Sequence, residues 1–214
     1  MRITRRADTP GSFVSLSVVV ATVLLAGGCG GGAMDDEQDA ARVSESGLEF
    51  NAGGDCTGRD VLIDRDGAVV VLEGDCGTVT IDANGVSANV DRSGTVIVRG
   101  QDTTVTGAQT GTLTISGRSN RSAVEAVESL EVLGNAVTVS GARAGRISVS
   151  GSGNSLEIGR AGDTAISGND NRMQSEAVEE LELTGSNNTV EWKSGAPGPV
   201  RNTGSENRLV PPGA

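Results

Sequence analysis

The sequence has no histidine and no tyrosine, and it has only one tryptophan and two phenylalanines in 214 residues. Large aromatic side chains therefore cannot build the core, which must come from Val, Ile, Leu and Ala. Without imidazole, the chain cannot form a Ser-His-Asp or Cys-His catalytic arrangement or a histidine-containing zinc site. We therefore predict no metal site and no cofactor.

Basic residues are also scarce, with 17 Lys and Arg against 28 Asp and Glu, which gives a formal net charge of −11. A chain this acidic is repelled by the phosphates of nucleic acid. We therefore expect no nucleic-acid partner.

A 17-residue period runs through most of the chain. Aliphatic residues and glycines both recur at this interval: Val79, Val96, Leu113, Leu130, Ile147 and Leu181, and Gly100, Gly117, Gly134, Gly151, Gly168 and Gly185. A short fixed period is typical of solenoids, whose units bury their apolar faces only by stacking on one another. Within each unit, apolar and polar residues alternate on both sides of a Gly-rich corner, as in strand, turn, strand. The sequence thus predicts an all-β fold, a single-domain parallel β-solenoid (β-helix) of about nine 17-residue coils.

Two residue types are expected to shape the corners. The recurring glycine supplies either a positive φ or a close approach between coils. An asparagine follows three positions later in most units, and in stacked coils these side chains would form a structural ladder of amide hydrogen bonds. The predicted ladder consists of Asn120, Asn154, Asn171, Asn188 and Asn207.

The first 28 residues have the features of a signal peptide. A basic start is followed by an apolar run of 14 residues, 13–26, whereas a membrane-spanning helix needs about 20. Leu24-Leu25-Ala26-Gly27-Gly28-Cys29 resembles a bacterial lipobox, which implies cleavage before Cys29 and lipidation of that residue. An ordinary cleaved signal with an incidental Cys29 is the alternative.

The remaining chain divides into three predicted parts. Residues 29–54 form a lipidated cysteine and a flexible Gly-, Asp- and Ser-rich tether, 55–210 form the solenoid, and 211–214 form a tail. Cys56 and Cys76 lie 20 positions apart on neighbouring units. In an exported protein they are expected to form a disulfide that holds the first coil.

Carboxylates are the remaining candidates for catalysis. The pairs Glu128 with Glu131 and Glu179 with Glu182 lie 51 residues apart, which is three coils. At about 4.8 Å per coil the pairs are about 14 Å apart, beyond the separation of about 5 to 9.5 Å in a glycosidase. We interpret them as solvated charges, and we predict no catalytic residue.

Residues 56–207 resemble a known family, the domain of unknown function numbered 3060. The similarity rests on three motifs: Cys56-Thr-Gly-Arg-Asp-Val61, Gly74-Asp75-Cys76-Gly-Thr-Val79-Thr-Ile81, and units such as Thr184-Gly185-Ser186-Asn187-Asn188-Thr189-Val190. The resemblance implies an exported, lipid-anchored envelope protein of the kind found in actinobacteria. It implies no assigned activity.

These observations together favour a non-enzymatic lipoprotein at the outer face of the cell membrane. Its partners are expected to be the membrane, through the lipid anchor, and an envelope glycan or protein that uses the solenoid as a scaffold or binding module. Two alternatives remain open. One is a polysaccharide-processing enzyme that uses the paired carboxylates, and the other is an accessory subunit of an envelope complex.

Overall fold

A computed structural model describes residues 41–42 and 53–214, which fold into one continuous parallel sheet. Its strands, in chain order, are β1 (Ala41–Arg42), β2 (Gly54–Asp55), β3 (Val61–Ile63), β4 (Val69–Ile81), β5 (Ser87–Val98), β6 (Thr104–Ile115), β7 (Arg121–Val132), β8 (Thr138–Val149), β9 (Ser155–Ile166), β10 (Arg172–Leu183), β11 (Thr189–Trp192), β12 (Val200–Asn202) and β13 (Arg208–Val210). From β5 to β10, each strand pairs in parallel with residues 17 positions away. The predicted all-β solenoid of about nine turns is therefore confirmed.

Each long strand bends twice. In β7, strand pairing continues over residues 121–124, 126–127 and 129–132 and skips residues 125 and 128. Inward residues are two positions apart on a straight stretch and three apart across a bend, as the burial pattern of β7 shows. We call the three stretches of each coil side A, side B and side C, in chain order. The five residues that follow side C form a corner, at 133–137 in the coil of β7.

Aliphatic columns fill the interior because the register places equivalent residues directly above one another. On side C the inward positions are occupied by Val79, Val96, Leu113, Leu130, Ile147, Thr164 and Leu181. All of these side chains are β-branched or leucine, all but Thr164 are aliphatic, and all are buried. The core thus contains columns of similar shape, in which each coil covers the apolar surface of its neighbours.

The recurring corner glycines allow close approach between coils. A Cβ at Gly168 would overlap the carbonyl oxygen of Gly151 in the preceding coil, and the same holds at Gly151 and Gly185. Positive φ angles occur two positions later, mostly at residues other than glycine: Asp102, Ser119, Ala136, Gly153, Asp170, Asn187 and Glu206. Of the two roles expected for the recurring glycines, the structure therefore assigns them close packing.

Short strands pair with the solenoid at both ends of the stack. At the first coil, β1 pairs with β3 and β2 pairs with β4. At the other end, β12 pairs with β10 and β13 pairs with β11. There the indole of Trp192, only 7% exposed, donates from Nε1 to the carbonyl oxygen of Gly195 at 3.2 Å. The tryptophan therefore belongs to the packed end of the core.

Candidate functional site

The five asparagines at the corner form a ladder of hydrogen bonds along the stack, which is interrupted at Val137, the residue at this position between Asn120 and Asn154. Each side-chain Nδ2 donates to the corner glycine carbonyl of the preceding coil, at 2.9 to 3.1 Å: Asn120 to Gly100, Asn154 to Gly134, Asn171 to Gly151, Asn188 to Gly168 and Asn207 to Gly185. Each Oδ1 accepts the backbone N–H of the residue at the same corner position in the preceding coil. All five amides are thus engaged with backbone groups inside the protein.

The two cysteines form a disulfide at the first coil. Cys56 and Cys76 have Cα atoms 4.9 Å apart, and both side chains are 3% exposed. In the side B column, the next two residues after Cys76 are Ser93 and Thr110, whose hydroxyls lie 3.1 Å apart. The disulfide therefore continues an inward column and fixes the segment around Cys56 to the solenoid.

The four candidate carboxylates lie on two different surfaces. Glu128 and Glu179 are exposed at the bend between sides B and C, whereas Glu131 and Glu182 lie on side C itself. The Oε2 atom of Glu131 accepts a hydrogen bond from Thr114 Oγ1 at 3.3 Å. The structure thus distributes these groups along the stack at the positions of solvent-facing residues.

Side B forms a shallow open groove. It has a volume of about 1080 Å³ and crosses seven successive coils, from Arg92 to Ser194. Its lining contains small residues and charged or amide residues in equal number: Ala108, Ala126, Ala142, Gly159, Ala177 and Ser194, and Arg92, Gln109, Glu125, Arg143, Arg160 and Glu176. Six steps of about 4.8 Å make the groove about 29 Å long. We call this surface the side B groove.

Two arginines stand next to each other in the centre of the side B groove. Arg143 of β8 and Arg160 of β9 are directly paired in register, and both are exposed. Neither forms an ion pair with a carboxylate in the region 53–214. In the sequence, the small residues Ala142 and Gly159 come directly before the two arginines. Gly145 and Gly162 follow two positions after them, beyond the inward Ala144 and Ala161. An overall acidic protein thus presents a local pair of cations on a neutral floor.

The charges at the ends of the groove are compensated internally. Arg92 hydrogen-bonds to the carboxylate of Asp75 in the preceding coil, and this contact lowers the pKa of Asp75 and raises that of Arg92. Lys193 Nζ lies 2.7 Å from Glu176 Oε1, which raises the pKa of Lys193. Only the central arginine pair therefore lacks a carboxylate partner among the groove's basic residues.

Sequence reasoning missed the side B groove. The 17-residue spacing of Arg143 and Arg160 was available as a signal, because residues one period apart must stack in a solenoid. The apolar periodicity does not show, however, that the small side chains around these arginines leave a depression on side B. That depression depends on where each strand bends.

Two further findings concern membranes and metals. Within residues 41–42 and 53–214, no helix has the length and apolar character needed to cross a membrane. The same residues contain no group of three or more Cys, Asp or Glu side chains that could hold a metal ion. The predicted signal peptide at 1–28 and the predicted lipidation of Cys29 lie outside the described residues, as does most of the predicted tether.

Comparison with known proteins gives one match. No curated protein and no solved structure matches the chain. The model of a family described as a protein of unknown function, DUF3060, matches residues 149–206. These residues include Asn154, Asn171 and Asn188 of the ladder and the final coils of the solenoid. Over residues 149–206 the chain is therefore similar to the DUF3060 family, as its repeat motifs predict.

Proposed function

We propose that this chain is a non-enzymatic lipoprotein of the cell envelope whose solenoid is a rigid binding module for an envelope glycan or protein. The observation that carries the proposal is the side B groove, which follows seven coils without interruption. A groove of about 29 Å fits an extended polymer better than a compact small molecule. Envelope glycans and extended protein segments are polymers of this kind.

The construction of the solenoid supports a binding role. Parallel pairing and the asparagine ladder fix each coil to both neighbours, so the groove is formed before any ligand arrives. A preformed surface loses little conformational entropy when it binds. This property suits a scaffold that must hold a partner at a defined position.

The two alternatives receive less support. A carboxylate-dependent enzyme needs two acidic groups facing one substrate bond, whereas Glu128 and Glu131 lie at a bend and on the next side. An accessory subunit would be expected to have an apolar strip along one side of the sheet. The exposed large apolar residues among those described are instead separate in the fold: Val69 and Val71 at the first long strand, Leu133 in the middle and Val200 at the end.

A groove-blocking substitution tests the proposal. Ala126 lies in the side B groove, whereas Ala123 lies on side A of the same strand and points outward. We expect the full chain to co-sediment with isolated envelope fractions, Ala126→Trp to abolish this binding, and the matched Ala123→Trp to retain it. Pretreating the fractions with glycosidases or with proteases identifies the polymer. Failure of the wild-type chain to bind any envelope fraction would contradict the proposed function.

The lipid anchor needs a separate experiment. Cys29→Ser removes the proposed attachment sulfur, so the variant should move from the detergent phase to the aqueous phase in a phase-partition assay of whole cells. Ser44→Ala, in the predicted tether, is the control and should stay with the detergent. A Cys29→Ser protein that still partitions into detergent would disprove lipidation at this residue.

A further inference from the structure

The central part of the side B groove has a feature that structural stability does not explain. Arg143 and Arg160 are directly opposite each other on paired strands, and like charges in this relationship are destabilising. The protein offers these two residues no carboxylate partner within the described region. We propose that the arginine pair binds the carboxylate of an acidic sugar in a glycan. This inference rests on the proposed binding function and specifies its ligand.

The surroundings of the pair provide room for a sugar ring. On the two coils of β8 and β9, the neighbouring outward positions are occupied by Ala142, Gly159, Gly145 and Gly162. These residues have no side chain beyond Cβ, so a ligand can approach the guanidinium groups closely. The two coils together are about 10 Å wide, which accommodates about two sugar units.

Carboxylates flank this central region on both sides. Glu128 lies one coil before Arg143, and Glu179 lies one coil after Arg160. Both line a depression next to the side B groove that also contains Arg143 and Arg160. A carboxylate accepts hydrogen bonds and so can bind sugar hydroxyls. Cations in the centre with acceptors at the edges thus match a ligand that has one acidic group among several hydroxyls.

Other classes of ligand fit this arrangement less well. A densely charged polyanion would place negative groups against Glu128 and Glu179, where like charges repel. A neutral glycan would leave the arginine pair without an anion. Neutral sugars also commonly need an exposed aromatic ring for stacking, whereas Trp192, the one aromatic residue among those described, is buried. The charge pattern therefore selects a glycan with widely spaced carboxylates.

The test uses a probe that carries one carboxylate for every two sugars. A hyaluronan octasaccharide, the same oligosaccharide with methyl-esterified carboxylates, and heparin are titrated into the full chain in detergent micelles by isothermal calorimetry. We expect the acidic octasaccharide to bind, and esterification or the double variant R143Q/R160Q to weaken binding at least about tenfold, because charge-assisted hydrogen bonds are lost. The control R118Q/R208Q removes two exposed arginines elsewhere and should bind as the wild type does.

Folding and function can be separated in this experiment. Because R143Q/R160Q relieves a like-charge pair, its melting temperature should equal or exceed that of the wild type. Equal binding of the esterified probe, or unchanged binding by R143Q/R160Q, would overturn the inference, as would tighter binding of heparin. Binding to envelope fractions without any binding to the acidic octasaccharide would overturn the acidic-sugar inference and leave the proposed function standing. If the chain binds neither the envelope fractions nor the acidic octasaccharide, both the proposed function and the acidic-sugar inference are wrong.

Discussion

The side-chain amide of Asn188 donates to the carbonyl oxygen of Gly168 in the preceding coil at 2.9 Å. Its Oδ1 atom accepts the backbone N–H of Asn171, also at 2.9 Å. Since Asn188 is 0% exposed, one side chain satisfies two buried backbone groups that water cannot reach. This relationship repeats along the corner and makes the asparagines part of the backbone hydrogen-bonding system.

Loss of one rung of the ladder should therefore be costly. Asn188→Ala leaves the Asn171 N–H and the Gly168 carbonyl unpaired, and we expect the free energy of unfolding to fall by about 2 to 4 kcal/mol. Asn169→Ala is the matched control, since Asn169 is exposed and its side-chain Oδ1 accepts only the Ser186 N–H at 3.0 Å, and it should cost less than about 1 kcal/mol. Urea denaturation measures both. Equal losses in the two variants would contradict the structural role of the ladder.

The corner glycines predict that two Gly→Ala variants differ in stability. Gly168→Ala places a methyl group against the Gly151 carbonyl oxygen, so neighbouring coils must separate. We expect it to destabilise the protein by about 3 kcal/mol or more. Gly153→Ala meets nothing within 4 Å and has φ +67°, so it should cost only about 1 kcal/mol of backbone strain. Thermal melting of both variants checks this, and a Gly168→Ala protein as stable as Gly153→Ala would refute close packing.

The buried hydroxyl of Ser122 offers a stabilising substitution. Ser122 is 1% exposed and its Oγ has no hydrogen-bond partner, although Val105 and Val139 occupy the same column on either side. Ser122→Ala removes an unpaired polar group, and we expect a gain of about 1 kcal/mol. The control is Ser140→Ala on the outward face of β8, which should change stability by less than about 0.5 kcal/mol. A destabilised Ser122→Ala would mean that the hydroxyl is satisfied in solution.

Backbone strain at the corner gives another stabilising change. Ala136 has φ 54°, a region that glycine adopts without steric cost. We expect Ala136→Gly to raise the free energy of unfolding by about 0.5 to 1 kcal/mol, because relief of strain exceeds the added entropy of the unfolded chain. Ala165→Gly, at an exposed position in β9, should lower it by a similar amount. Guanidinium denaturation of both variants should show changes of opposite sign in the free energy of unfolding. A loss of stability in Ala136→Gly would count against the prediction.

The disulfide should stabilise the first coil. Cys56 and Cys76 close a loop across 20 positions, which is worth about 3 kcal/mol in the chain-entropy model. We expect the double variant Cys56→Ser, Cys76→Ser to lose about this much stability and to gain protease sensitivity near the first coil. Treating the wild type with a reductant should reproduce both effects and leave the variant unchanged. A variant as stable as the oxidised wild type would show that the cross-link is dispensable.

The sequence by itself determined the repeat, because a solenoid places each residue above the one 17 positions earlier, so any property that must recur in space also recurs in the chain. The aliphatic columns and the positions of Asn154 and Asn171 follow from that rule. The tertiary structure decided what periodicity does not encode, namely where each coil bends and which groups the bends expose. The 17-residue spacing makes Arg143 and Arg160 neighbours, but only the bend after side A sets them on a floor of Ala and Gly. Likewise, only the backbone path at the corner assigns positive φ to Ala136 and close contact to Gly168. The physical reason is that side-chain alternation fixes inside and outside, whereas the curvature of the backbone depends on packing between neighbouring coils.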